Sequence, residues 1–350
     1  MNSGFLKMEI LYDDVGSFPL PPSVSKEKVS EAISAGRNDQ ELYSVIEQVF
    51  LMKQDAGVSI PTYPQFQDMI TQFTDVFLNP DCCTEPYRVR MECTNMVELE
   101  ALEIPGKRYF EETGEKMPVR VCLTGPIELY LNQFGSAVYE DIFKIFAQNI
   151  NLYCRNAIKN SKYIDIKTLS IDEPSLGLNP DLSLTRDELI DGLTISGRAA
   201  AKNGLDVQIH IHSPLYYDIA CETATINVIG VESAATPSYI EMIDKNVLES
   251  TDTFLRIGIS RTDIFNLVGI LNEKYNTNAW NSPNTLNKIL TEIETPDVIE
   301  KRLNYFYSIF GDTIRYVGPD CGLGSWPSQE LAYGLLKNTG TAIESFCNKI

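Results

Sequence analysis

Both histidines of the 350-residue chain lie two residues apart in the run Val207-Gln208-Ile209-His210-Ile211-His212-Ser213-Pro214. Such a run reads as a β-strand. Alternate side chains of a strand share a face, so the two imidazoles project together with Cα atoms about 6–7 Å apart. Neutral imidazole is the commonest metal ligand. Buried imidazoles also serve as hydrogen-bonded core residues, so the metal reading requires further ligands at other strand ends. Glu232 follows the apolar run 226–231, and Cys321 stands just beyond the run 314–318. Zinc takes nitrogen, sulfur and carboxylate oxygen in tetrahedral sites, and a catalytic site keeps one position open. His212, Glu232 and Cys321 supply three such donors. His210 is either a fourth ligand or a partner behind the others. An ordinary salt bridge at Glu232 and simple packing of Cys321 are the alternatives that the pattern leaves open.

Short apolar runs at 8–12, 58–61, 119–123, 168–171, 207–212, 226–231, 254–259 and 314–318 read as eight strands, separated mostly by stretches of helical periodicity. Helices are expected at 26–35, 39–56, 65–77, 88–102, 139–160, 184–203 and 328–346. This alternation is the pattern of a parallel β/α sheet, and eight strands match a closed TIM (β/α)8 barrel. A doubly wound open sheet is the runner-up. The barrel is favoured because Ser17, Asp172, His212, Glu232 and Cys321 all fall where strands end, and barrel chemistry gathers at the C-terminal strand ends. With no repeat or linker in view, residues 1–350 are expected to form a single catalytic barrel with an N-terminal helical extension.

The net charge of −19 argues against nucleic acid, whose phosphates are bound by clustered Lys and Arg. No apolar run approaches the roughly 18 residues that span a bilayer, and no signal core follows the N-terminus. A cytoplasmic protein without membrane contact is expected. The eight cysteines show no disulfide rhythm and no Cys-x-x-Cys pair, so they are read as thiols.

Six segments occur in a telling order: Val15-Gly16-Ser17-Phe18-Pro19, Leu123-Thr124-Gly125-Pro126, Ile171-Asp172-Glu173-Pro174, Gln208-Ile209-His210-Ile211-His212, Val231-Glu232-Ser233 and Pro319-Asp320-Cys321-Gly322-Leu323. In this order they resemble the C-terminal catalytic barrel of cobalamin-independent methionine synthase, in the superfamily of uroporphyrinogen decarboxylase. The resemblance spans nearly the whole chain and is closer still to the short archaeal-type core forms. It implies zinc ligation by His212, Glu232 and Cys321, and homocysteine binding by Asp172 and the backbone of Val15, Gly16 and Ser17. Asp172 would pair with the substrate ammonium. Pro214 stands where the family has a ligand cysteine, so three ligands remain, or His210 or Cys221 takes the vacated place. The family also carries a substrate-binding Glu ahead of Asp68-Met69, where this chain reads Pro61-Thr62-Tyr63-Pro64-Gln65-Phe66-Gln67.

The expected activity is zinc-dependent methyl transfer to a thiol, with homocysteine the first expectation and another thiol such as coenzyme M the alternative. A corrinoid protein or a reduced pterin is the expected methyl donor. A metal-free decarboxylase is disfavoured because Asp13-Asp14 would repel a polycarboxylate, and a non-catalytic thiol- or corrinoid-protein-binding module is the third reading. Four further features stay open. Gly322 and Gly324 either bind phosphate or serve as turn residues, and Trp326 is either a stacking platform or a helix anchor. Arg256 and Arg261 either meet an anionic substrate or form internal ion pairs.

Overall fold

The computed structural model describes residues 10–34 and 39–349; Met8, Glu9 and Ala35, at the ends of two expected elements, lie outside them. The strands are β1 (Leu11–Tyr12), the hairpin pair β2 (Cys83–Glu85) and β3 (Arg88–Val89), then β4 (Met117–Thr124), β5 (Ile164–Asp172), β6 (Asp206–Ile211), β7 (Val228–Val231), β8 (Phe254–Ser260) and β9 (Ile314–Pro319). Seven of them form one sheet in the order β1-β9-β8-β7-β6-β5-β4. Every neighbouring pair is parallel. Helices flank the sheet, as parallel connections require.

The expectation of eight closed strands needs correction. The continuous ladder stops at seven, and its edges β1 and β4 are joined only by single bridges, Asp13 to Ile60 and Thr62 to Arg120. Ile60 N donates to Tyr12 O at 3.0 Å, and Arg120 N donates to Pro61 O at 3.0 Å. Pro61 has no N–H, so the segment cannot extend a ladder in both directions. The result is a curled, barrel-like sheet. The N-terminal helical extension is likewise not seen: α1 (Lys26–Ser34) and α2 (Gln40–Asp55) follow β1 and carry the chain to residues 59–62.

Further along, α3 (Thr71–Leu78) starts later than its periodicity predicts, and the hairpin takes the first part of the helix expected at 88–102. After α4 (Val97–Thr113) comes an unpredicted helix, α5 (Pro126–Phe134), whose Pro126 sits at the first helical turn where a missing N–H costs nothing. The expected helices α6 (Glu140–Asn160) and α7 (Arg186–Lys202) and the last helix, Gln329–Cys347, are all present. Thr185 and Glu188 start α7 with a reciprocal capping box. Among the described residues, no helix is long and apolar enough to cross a membrane.

Apolar residues on the outer face of the sheet pack against the helices, for example Val119 and Val121 of β4 and Phe143, Phe146 and Ile150 of α6, all at most 1% exposed. The inner face is polar. Asp13, Arg120 and Arg256 are fully buried. Arg256 Nε donates to Asp13 Oδ1 at 2.9 Å, and Arg120 Nε lies 3.4 Å from Asp13 Oδ2. Asp14, next along the chain, pairs with the fully buried Lys53 at 2.7 Å. Burial of such charges is tolerable only while each keeps its partner. Asp13→Asn leaves two guanidinium groups facing each other without a carboxylate, and should cost about 3–5 kcal/mol of stability. Urea unfolding of the variant checks this; a loss under about 1 kcal/mol would mean that the two arginines do not depend on Asp13.

Candidate metal centre and substrate cavity

Strand alternation points Gln208, His210 and His212 to the inner face of the sheet, and β6–β7 register, with Ile211 opposite Val231, brings His212 beside Glu232. The ring centroids of the histidines are 5.4 Å apart. His212 Nε2 lies 3.2 Å from Glu232 Oε1. Cys321 Sγ lies 3.7 Å from His212 Nε2 and 3.9 Å from His210 Nε2. The donor atoms of His210, His212, Glu232 and Cys321 all fall within 4.8 Å of one another. A tetrahedral zinc site, with Zn–N about 2.0 Å and Zn–S about 2.3 Å, has N···S edges of about 3.6 Å and N···O edges of about 3.3 Å. The donor set fits a divalent metal; the His212–Glu232 and His212–Cys321 spacings match tetrahedral edges, and the wider spacings in the cluster close with small side-chain shifts.

The four donors differ in their surroundings. His210 is 2% exposed. Burial, followed by the nearby His212, Arg256 and Arg120, pushes its pKa well below the ordinary imidazole value, so it is neutral and ready to ligate. Burial, with the Glu232 charge beside it, pushes the Cys321 thiol well above its usual value. Cys321 is thus a thiol until a cation arrives. Cys221, an expected substitute ligand, is placed elsewhere and hydrogen-bonds with Thr251 and Thr253. Pro214 opens a 3-10 turn, Pro214–Tyr216, directly after the histidine strand.

A cavity of about 730 Å3 reaches His210, His212 and Cys321 and is also lined by Val15, Ser17 and Asp172. Asp172, at the end of β5, has both oxygens engaged from behind. Ser170 Oγ donates to Oδ1 at 2.7 Å and Cys122 Sγ donates to Oδ2. The loop of Val15, Gly16 and Ser17 is held from below by Lys53, whose Nζ donates to Asp14 Oδ2, Gly16 O (2.8 Å) and Thr62 O (2.9 Å). Gly16 has φ of +118°, open to glycine, and a Cβ there would stand 2.8 Å from Gln65 Oε1. On the far side, Leu323 N donates to Ser17 O, and Gly324 N to Ser17 Oγ, at 2.8 and 3.2 Å. A Cβ at Gly322 would meet Ser17 Oγ at 2.0 Å, so the glycines after Cys321 serve a close approach of two loops.

Several residues that sequence reasoning left open find plain partners. Trp326 is buried and its Nε1 donates to Thr262 O, which ties the segment after Cys321 to the segment after β8. Arg256 pairs with Asp13, and Arg261 with Asp263. Where the family carboxylate is missing, Gln65, Gln67 and Asp68 line the cavity. Gln67 Nε2 donates at 2.8 Å to Glu98, a carboxyl whose pKa burial raises. Asp68 accepts from the amides of Ile70 and Thr71, which hold its pKa down. Sequence reasoning assigned no role to Lys53 or Glu173. Glu173 is fully buried and accepts from Ile127 N and Glu128 N at 2.9 and 2.8 Å, capping α5. Its position beside Asp172 was the available signal, since a carboxyl pair at a strand end serves two directions.

No family model and no curated protein matches this sequence. Among solved structures, the fold is similar to a B12-independent methionine synthase from Shewanella sp. W3-18-1 in complex with selenomethionine. The TM-score is 0.64 at 15% identity, over 97% of this chain and 98% of that one. Two others align over most of this chain but only at TM-scores of 0.41 and 0.40, each at 11% identity. They are a Xaa-Pro dipeptidase with bound methionine, of which 72% is covered, and a family 51 α-L-arabinofuranosidase from Bifidobacterium longum, of which 73% is covered. The first comparison shows a shared fold; the other two are too distant to bear on the site.

Because Cys321 holds its proton in the metal-free protein and a ligating sulfur has none, metal uptake must release that proton. Affinity for Co2+ should therefore rise about tenfold per pH unit from about pH 7 to about pH 8. Spectrophotometric titration at the two pH values checks this, with Cys321→Ser expected to lose both the sulfur charge-transfer band and this slope. A pH-independent affinity would show that Cys321 stays outside the shell.

Proposed function

We propose that this chain is a zinc-dependent S-methyltransferase of the cobalamin-independent methionine synthase type, which moves a methyl group to homocysteine to give methionine. One observation carries the reading: four metal-type donors, His210, His212, Glu232 and Cys321, cluster within 4.8 Å of one another, and three of them, His210, His212 and Cys321, line the cavity that Asp172 also lines. The shared fold with a methionine synthase and the six ordered sequence segments support it. On this reading the chain is one catalytic domain with a barrel-like sheet, working in the cytoplasm.

A zinc ion held by these four residues would lower the pKa of a substrate thiol so that its sulfur is thiolate at neutral pH. The protein's own groups do the rest. Asp172 offers its carboxylate to the substrate ammonium, and Ser170 and Cys122 keep both oxygens aimed. The loop of Val15, Gly16 and Ser17, fixed by Lys53 and by the glycines beyond Cys321, supports the amino acid end of the substrate. Phe18, Leu20 and Phe66 line the cavity with apolar surface, which keeps water from competing for the methyl group. The acceptor sulfur bonds to the methyl carbon, the carbon's bond to the donor breaks with its electron pair leaving on the donor, and the thiol proton passes to solvent. For the donor we retain the corrinoid protein or reduced pterin of the sequence reading, and for the acceptor homocysteine ahead of coenzyme M, whose sulfonate Asp172 would repel.

X-ray absorption at the zinc edge tests the proposal: homocysteine should add a sulfur to the shell, and methionine should appear when a donor is supplied. No zinc, or a shell indifferent to every thiol tried, would overturn it. Asp172→Asn should raise KM for homocysteine about 10- to 100-fold, the worth of one charge-assisted contact. Methylation of 2-mercaptoethanol, which has no ammonium, should be unchanged. Equal losses with both thiols would rule out ammonium binding by Asp172.

A further inference from the structure

We propose that Asp320 is a positioning residue, which sets Glu232 against Cys321 by gripping the backbone that follows Glu232. The inference rests on reading His210, His212, Glu232 and Cys321 as a metal centre.

Asp320 immediately precedes Cys321 and is 2% exposed. Its Oδ1 accepts from Ser233 N at 2.9 Å and Ala234 N at 2.8 Å, and its Oδ2 accepts from Ala235 N at 2.8 Å. Three successive amides converging on one carboxyl group form a nest-like cradle. They belong to the three residues directly after Glu232. One side chain thus joins the segment carrying one ligand to the segment carrying another, across the intervening strand β8.

The rest of the junction is built around it. Asp320 N donates to Ser260 O at 2.9 Å, and Cys321 N to Thr262 Oγ1 at 3.2 Å, so the Asp320-Cys321 backbone is fixed to the end of β8. Ser233 Oγ donates to Gly258 O at 2.8 Å, which ties the other segment to the same strand. A Cβ at Gly258 would stand 1.9 Å from Asp320 Oδ1 and 2.9 Å from its Cα. The grip therefore closes only over a bare Cα. Asp320 need not touch a metal to act: it fixes the spacing of two backbones, and the 3.2 Å and 3.7 Å separations of Glu232 and Cys321 from His212 Nε2 follow.

Two variants perturb this junction in different ways. Asp320→Asn replaces an oxygen acceptor with an amide nitrogen, which turns a donor toward at least one of the three N–H groups. Gly258→Ala leaves the carboxylate charge in place but pushes it off the amides. The full-length chain is titrated with Co2+ against a competing chelator, and thermal melts establish that each variant is folded. The wild type should show sulfur-to-cobalt charge transfer and the strong d–d bands of four-coordinate cobalt. Both variants should bind about 10- to 100-fold more weakly, as altered support behind metal ligands does. Their d–d bands should weaken while the sulfur charge transfer persists, because Cys321 still ligates but Glu232 no longer closes the tetrahedron. A lowered melting temperature with the wild-type spectrum and affinity would reduce Asp320 to a fold-stabilising role and overturn the inference alone. Should Asp320→Asn fail to fold, Gly258→Ala decides by itself. If the wild type binds no cobalt, the metal reading falls and this inference with it.

Discussion

The centre depends on curvature. β6 and β9 are separated by β7 and β8 in the sheet order. In a flat sheet three strand spacings of about 4.8 Å would hold them about 14 Å apart. Yet Cys321 Sγ, just past β9, lies 3.9 Å from His210 Nε2 on β6. The sheet must therefore curl tightly on its inner face, and small side chains there permit it. Gly230 on β7, Gly258 on β8 and Gly318 on β9 all present bare Cα atoms to inward-reaching side chains. A Cβ would stand 2.5 Å from Gln208 Nε2 at Gly230, 1.9 Å from Asp320 Oδ1 at Gly258 and 2.8 Å from Arg256 Nη2 at Gly318. The glycines thus create the inner space that Gln208, Arg256 and Asp320 fill, and the long polar side chains beneath the ligands follow from that space.

Polarity beneath the site answers a second need. β1 is two residues long and meets β9 through two register pairs, too little pairing to fix the loop of Val15, Gly16 and Ser17. Charge supplies the missing constraint. Asp13 connects the end of β1 to Arg256 on β8 and Arg120 on β4. Asp14 receives Thr62 N at 2.7 Å as well as the Lys53 ammonium. Burial lowers the Lys53 pKa, and the Asp14 charge opposes that shift. A buried pair of this kind adds little net stability compared with apolar packing, but it specifies one geometry strongly. Here the specified geometry is that of a loop lining the substrate cavity.

Much of this was legible in the chain because it is local. Period-two alternation around His210 and His212 fixes their common face, and an apolar run ending in Glu232 or Asp172 marks a strand end without knowledge of its neighbours. The four-donor cluster could thus be anticipated, with His210 among the options. What escaped was non-local. Lys53 sits in an ordinary amphipathic helix, and only the approach of Asp14 and Thr62 shows why a lysine faces inward. Glu173 and Asp320 each stand next to a residue marked for chemistry, and their tasks are set by amides 45 and more positions away. The second strand was over-read because an apolar run beside Pro61 satisfies a propensity rule while lacking the N–H that a ladder needs. The helices at 26–34 and 40–55 read as an extension, although the run 8–12 already marks a strand ahead of them.

The ligand set also bears on chemistry. With a proline at 214, where the resembled family has a ligand cysteine, His210 is the donor that stands within reach, and Cys221 is engaged with Thr251 and Thr253. Replacing a thiolate by a neutral imidazole leaves two anionic donors, Glu232 and Cys321, so a bound divalent cation would be balanced in charge rather than over-neutralised. Glu232 directly follows β7 and is held behind by Asp320 and by the Ser233 bond to Gly258, whereas His210 lies on β6 and His212 directly after it. Asp320 grips residues 233–235, directly after Glu232, and so ties the segment of one donor to the segment of another.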